Sequence, residues 1–131
     1  MLKPIVLIAI ASLLIAATAP TMPPPRYDIF DLEEGEAAPA AVGKPLTVRL
    51  WTGFADSEWR LVPQAGVVLL ESSRFLLAPD PDGGVGFSSG DDITLKVTRP
   101  GRYRIVFQYI KKATGQPDRT YSNKPFDVIA R

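Results

Sequence analysis

Short runs of alternating apolar and polar residues dominate this sequence after residue 43. Leu46, Val48 and Leu50 alternate with Thr47 and Arg49, which is the period of a strand buried on one face. Further strand-like runs cover 59–61, 67–70, 74–77, 93–97, 103–109 and 126–130. Turn residues separate these runs, and no segment after residue 19 shows a convincing helical period. The pattern predicts an all-β protein, an immunoglobulin-like antiparallel β-sandwich of seven to eight strands.

Two positions fit this sandwich in detail. Trp59 suits the inward tryptophan of an immunoglobulin-like third strand. The sequence "PGRY" at 100–103 suits a corner where a tyrosine hydroxyl returns to the backbone. Both features serve the core, so neither is expected to bind a partner.

The first 19 residues have the composition of an export signal. Lys3 precedes the apolar run Ile5–Ala16, and Ala17-Thr18-Ala19 is a small-x-small cleavage site. A membrane anchor is the alternative interpretation, but this run is shorter than the ~20 residues that a spanning helix needs. The sequence therefore predicts a signal peptide over residues 1–19 and a periplasmic or secreted protein.

The remaining chain divides into an N-terminal segment, 20–42, and a β-sandwich domain, 43–131. The segment begins with the proline-rich "PTMPPP", which resists helix and sheet alike. A first strand is predicted over Tyr27–Leu32, and Glu33–Ala41 is predicted to be an acidic linker loop. About 110 residues are enough for one domain with a single core.

Charge and composition exclude several classes of function. The chain has 15 basic and 14 acidic residues, and loss of Lys3 with the signal would leave the two balanced. A neutral surface gives no electrostatic argument for binding nucleic acid or a membrane surface. Histidine and cysteine are absent, so imidazole catalysis, thiolate catalysis, sulfur-ligated metals and disulfides are excluded.

Carboxylates are the remaining candidates for chemistry. Asp91-Asp92 and Asp80-x-Asp82 are candidate calcium ligands, but their spacing matches no standard calcium loop. Aspartates in "PDPDGG" more simply supply turn hydrogen bonds. We therefore expect a protein that is not an enzyme and binds no cofactor or metal.

Alternate connections of an antiparallel sandwich gather at each end. In the predicted strand order, loops 51–58, 79–90 and 110–118 fall at the same end, and these are the irregular, glycine-rich connections. Three adjacent loops on a rigid scaffold form a natural recognition edge.

Six features follow one another along the chain: Leu50, "TGF" at 52–54, Trp59, "GGVGFSSG" at 83–90, "GRYRIVFQY" at 101–109 and "FDV" at 126–128. In these features and their order the sequence resembles the chagasin-type inhibitors of papain-like cysteine proteases. The resemblance covers about residues 43–130. The chain departs from the family in lacking Asn-Pro before Thr-Gly, and it has Lys111-Lys112-Ala113 where the family has Arg-Pro-Trp.

The resemblance implies reversible inhibition, in which three adjacent loops occlude the cleft of a papain-like cysteine protease. The residues implied as protease contacts are Trp51, Thr52, Gly53, Phe54, Gly86, Phe87, Ser88, Lys111 and Lys112. Thr52–Phe54 would form an exposed central insert, because glycine allows close backbone approach. Trp51 has two interpretations: it replaces the missing tryptophan contact, or it packs on the rim of the sandwich.

Two other functions remain open at this point. A non-inhibitory immunoglobulin-like periplasmic module would keep the scaffold and bind a different protein through the diverged loops. A carbohydrate-binding sandwich would use Trp51 and Phe54 as stacking platforms beside Asp56 and Glu58. The sequence does not determine the target protease or the oligomeric state.

Overall fold

The computed structural model describes residues 22–33, 35–52, 56–76 and 89–131. These residues form eight strands and one short 3-10 helix, Ile29–Asp31. The strands are β1 (Arg26–Asp28), β2 (Ala37–Ala40), β3 (Leu46–Thr52), β4 (Ser57–Leu61), β5 (Val67–Leu76), β6 (Ser89–Val97), β7 (Gly101–Lys111) and β8 (Lys124–Ala130). No helix within these ranges is long and apolar enough to cross a membrane.

The strands form two four-stranded sheets that pack face to face. One sheet has the order β1-β3-β6-β5 and the other has the order β2-β8-β7-β4. The predicted all-β sandwich is therefore confirmed. At one edge of each sheet the outer pair is parallel: β1 with β3, and β2 with β8. Every other described pair is antiparallel, as expected.

The core lies between the sheets and consists of alternate residues from the paired strands. It comprises Ala38, Leu46, Val48, Leu50, Trp59, Ile93, Leu95, Val97, Ile105, Phe107, Tyr109, Phe126, Val128 and Ala130. Trp59 is 2% exposed, so its predicted place in the core is confirmed. The Tyr103 hydroxyl donates to the Arg99 carbonyl at 2.9 Å, as the predicted tyrosine corner requires.

The N-terminal segment differs from its prediction. The first strand ends at Asp28, because the Asp28 carboxylate accepts the Phe30 backbone N–H at 3.0 Å and caps a 3-10 turn. The predicted linker loop 33–41 instead contains β2, which pairs with β8 and buries Ala38 in the core. Pro39 is tolerated there because β2 is an edge strand, where a missing N–H breaks no ladder.

Gly90 allows two aromatic rings to meet across the outer face of the first sheet. It lies between Trp51 on β3 and Phe75 on β5, and those rings contact edge to face at 4.9 Å. A Cβ atom at Gly90 would overlap the Leu50 carbonyl oxygen and would lie 2.7 Å from the Phe75 ring. Glycine is therefore required by packing at this position.

We predict that Gly90→Ala lowers the free energy of unfolding by about 3 kcal/mol, because overpacking forces the backbone of β3 and the Phe75 ring to shift. Gly115→Ala is the control: its φ is +69°, its surroundings are open, and the cost is backbone strain of about 1 kcal/mol. Urea denaturation of both variants measures the difference. Equal losses would contradict the packing argument.

Candidate functional site

The ends of five strands come together at one end of the sandwich, here called the loop end. The last residue of β3, Thr52, pairs with the first residue of β6, Ser89, which also pairs with Leu76 at the end of β5. In the other sheet, Ser57 at the start of β4 pairs with Lys111 at the end of β7. These pairings place three connections side by side.

Between these described strand ends the chain runs through 53–56, 77–88 and 112–123, here called the three connections; of these, 53–55 and 77–88 lie outside the described residues. They correspond to the predicted loops 51–58, 79–90 and 110–118, with bounds changed where the strands end at other residues than the sequence pattern indicated. The first and third are joined directly, since the Lys112 backbone N–H donates to the Asp56 carbonyl at 3.0 Å. The predicted contact residues Gly53, Phe54, Gly86, Phe87 and Ser88 lie outside the described residues.

Thr52 is not part of an exposed tip, contrary to the prediction. Its side chain is fully buried and shares a hydrogen bond with the Tyr109 hydroxyl on the opposite sheet. Its carbonyl accepts the Ser89 hydroxyl at 3.0 Å. The cause is strand periodicity: β3 runs two residues beyond Leu50, so Thr52 falls on the inward face.

Trp51 packs on the outer rim of the sandwich and is half-buried. Its indole N–H donates to the Asp28 carboxylate at 2.7 Å, and its ring lies edge-on to Phe75. Arg49 completes this cluster: it binds Asp92 through two hydrogen bonds and lies 3.9 Å from the centre of the Phe75 ring. These contacts fix the indole beside the loop end and agree with the second of its two interpretations.

Lys111 and Lys112 present exposed side chains at the loop end. Their backbones are held firmly: the Lys111 N–H donates to the Gln116 carbonyl at 2.9 Å, and the Lys111 carbonyl accepts the Gly115 N–H at 2.8 Å. The pair therefore carries positive charge at the beginning of the third connection.

Ser57 joins the bases of all three connections, and sequence reasoning missed it. Its hydroxyl donates to the Asp118 carboxylate at 2.6 Å, within the third connection. Its carbonyl accepts a hydrogen bond from Nη2 of Arg74 at 2.7 Å, and Arg74 lies two residues before the end of β5. A signal was present in the sequence, because Ser57 precedes Trp59 by two residues and so occupies an inward, buried strand position.

Arg74 and Asp91 form a polar bridge between the two sheets behind Ser57. Asp91 is 3% exposed, accepts the Trp59 backbone N–H at 2.8 Å, and lies 3.3 Å from Nε of Arg74. Burial raises the pKa of Asp91, while the Trp59 hydrogen bond and the Arg74 charge oppose that rise. Arg74 Nη1 is buried without a hydrogen-bond partner, so its position is set by the other two nitrogens.

The carboxylates at this end do not assemble a metal site in the described part of the chain. Asp91 points inward to Arg74, whereas Asp92 points outward to Arg49, because neighbouring strand residues face opposite sides. No group of three carboxylates that could hold a metal ion occurs among the described residues. Asp80 and Asp82 lie outside those residues.

Aromatic packing ties the third connection to the core. Tyr121 stacks on Trp59 with ring centres 5.9 Å apart and meets Tyr109 edge-on at 4.9 Å. Asp118 adds polar contacts, accepting from Ser57 and from the backbone and hydroxyl of Thr120. These hydrogen bonds, that of Ser57 foremost, lower the pKa of Asp118 to about 2.

We predict that Arg74→Met lowers the free energy of unfolding by about 3 kcal/mol at neutral pH, because it leaves the Asp91 carboxylate buried and unpaired. The variant raises the pKa of Asp91 further, so the loss shrinks as the pH falls through that pKa and the carboxyl is protonated. Arg104→Met is the control, because the Arg104 side chain beside Asp127 is 67% exposed. An ion pair with such an exposed partner contributes about 1 kcal/mol or less to the free energy of unfolding. Denaturation at several pH values measures both, and equal losses at neutral pH would contradict this account.

Asp118 offers a second test by nuclear magnetic resonance. Its carboxyl should titrate at about 2 and shift toward its ordinary value of 3.8 in Ser57→Ala. Because the folded pKa is lowered, these bonds stabilise the folded state above pH ~4 and are lost as the pH falls toward 2. Exposed Ser122, changed to Ala, should leave the midpoint unchanged, and an unshifted midpoint in Ser57→Ala would disprove the Ser57 contact.

Comparisons with known proteins identify structural neighbours only. No protein-family model and no curated protein matches this sequence. The crystal structure of EhICP2, a cysteine protease inhibitor from Entamoeba histolytica, is similar with a TM-score of 0.57 and 16% identity, covering 86% of this chain and 100% of that one.

The solution structure of amebosin is similar with a TM-score of 0.53 and 17% identity, covering 84% of this chain and 100% of that one. At such identities the likeness concerns the fold. The sequence resemblance is confirmed at that level: this chain has the fold of the chagasin-type cysteine protease inhibitors.

Proposed function

We propose that this protein is an exported, reversible inhibitor of papain-like cysteine proteases, and that its three connections at the loop end occlude the protease cleft. The observation that carries the proposal is the convergence of the strand ends that lead into 53–56, 77–88 and 112–123, at one end of a sandwich whose neighbours include a cysteine protease inhibitor. The N-terminal 19 residues supply the export signal in this proposal.

Inhibition of this kind needs no bond-making by the inhibitor. Gly53 and Phe54 form the central insert: the glycine backbone approaches the catalytic residues closely and the phenylalanine supplies a rigid apolar contact. Gly86, Phe87 and Ser88 contact one wall of the cleft, and Lys111 and Lys112 contact the other. Thr52 supports the insert from within the sandwich.

The loop end suits this task because its base is rigid before binding. Ser57 links the first connection to Arg74 and Asp118, and Thr52 links it to Tyr109 on the opposite sheet. A surface that is ordered in advance loses less conformational entropy on association. Such a base lets the three connections inhibit a protease, although Lys111-Lys112-Ala113 replaces the Arg-Pro-Trp anchor of the family.

The test is titration of papain and cathepsin L with the protein exported from the full-length gene. We expect reversible competitive inhibition by the natural protein. Gly53→Glu should weaken it at least about thirtyfold, which corresponds to ~2 kcal/mol, because a cleft insert cannot accept a bulky charge.

Ala65→Glu is the matched control, since Ala65 is exposed in the turn between β4 and β5 at the opposite end of the sandwich. It should leave inhibition unchanged. A folded protein that inhibits neither protease at tens of micromolar would reject broad inhibition and favour the non-inhibitory binding module. Equal effects of the two glutamates would reject the loop end as the contact surface.

A further inference from the structure

The four outer strands of the sandwich differ in how well their free edges are protected. Edge strands expose unpaired backbone groups, and proteins protect them by shortness, proline or charge. Among the described strands, β1 has three residues, β2 has four including Pro39, and β4 has five and carries the Glu58–Arg60 ion pair. The remaining edge, β5, has ten residues and no described strand on its outer side.

The side chains of β5 are also apolar and exposed. Val68 is 40% exposed, Leu69 51%, Leu70 47% and Leu76 79%. Beside them lies a groove of about 340 Å³ between β4 and β5, lined by Glu58, Trp59, Arg60, Leu61, Leu69, Ser72 and Ile93. Leu69 therefore belongs both to the free edge and to this mixed polar and apolar groove.

Few charges on β5 oppose association. Its two charged residues are Glu71 and Arg74, and Arg74 is held inward by Asp91 and the Ser57 carbonyl. A bulge between Leu69 and Glu71 is the one irregularity in its described ladder. Among the described residues, protection of this edge thus rests on that bulge and on Glu71.

We propose that β5 pairs antiparallel with β5 of a second copy of this chain, joining the two β1-β3-β6-β5 sheets into one. The sequence of β5 is self-complementary in such a pairing: apolar residues 67–70 and 75–76 flank a polar centre, 71–73. A two-fold axis at Ser72 places Glu71 of one chain opposite Ser73 of the other, and an axis at Ser73 places it opposite Phe75. In both registers the two glutamates are not paired with each other. A two-fold contact of this kind closes as a dimer.

The pairing leaves the proposed inhibitory surface free. Antiparallel strands point their ends in opposite directions, so the two loop ends would lie at opposite poles of the dimer. Each could then hold one protease. This consequence rests on the proposed function, whereas the dimer itself does not.

Sedimentation equilibrium of the exported protein without protease tests the dimer. We expect a concentration-dependent mass that reaches twice that of one chain, and Leu69→Lys should weaken the association at least about tenfold. Phe30→Lys is the matched control, because Phe30 is 57% exposed on the 3-10 helix, away from β5, and it should not change the association.

If Leu69→Lys does not fold, Leu70→Lys repeats the test at the bulge. A protein that stays monomeric up to millimolar concentration overturns the proposal, and so does a dimer that both lysine variants leave intact. Inhibition assays on the same samples are read separately: a dimer without inhibition rejects the proposed function alone, and a monomer that inhibits rejects the β5 pairing alone.

Discussion

Burial of polar groups at the loop end is the constraint on which the rest of this structure depends. Thr52, Ser57 and Asp91 all occupy inward strand positions, where a polar group without a partner is costly. Each finds its partner on the opposite sheet or in the neighbouring connection: Tyr109 for Thr52, Asp118 for Ser57, and Trp59 for Asp91. Satisfying these groups holds together the strand ends from which the three connections of the proposed function start.

Both sheets contribute contacts at this end. In the β2-β8-β7-β4 sheet, hydrogen bonds and aromatic stacking hold the third connection against β4, through Ser57 and Trp59. On the outer face of the β1-β3-β6-β5 sheet, Arg49, Trp51 and Phe75 pack around Gly90 beside the ends of β3 and β5. Rigidity at the base is consistent with inhibition by insertion, which needs a preorganised surface and no chemistry. EhICP2, the neighbour that is a cysteine protease inhibitor, shares this sandwich at 16% identity, so the likeness lies in backbone geometry.

The outer strands of the sandwich differ in how well their edges are protected. Short or charged outer strands protect three edges, while β5 keeps a long apolar edge that suits a second copy of the chain. The β5 edge runs away from the loop end, which it meets only at Leu76, so the proposed association would point the two loop ends in opposite directions. With 15 basic and 14 acidic residues in the chain, long-range repulsion between two copies is small.

The sandwich, the core position of Trp59 and the tyrosine corner at Tyr103 could all be predicted from the sequence, because strand periodicity and turn residues are local signals. Other features depend on contacts between distant parts of the chain. Ala37–Ala40 became a strand because β8 offers it a partner, a contact that distant residues create. Thr52 was predicted to be exposed and is buried, since one strand's length depends on its neighbour's ladder. Ser57 could join the three connections only once Arg74 and Asp118, far apart in the chain, had been brought to it by folding.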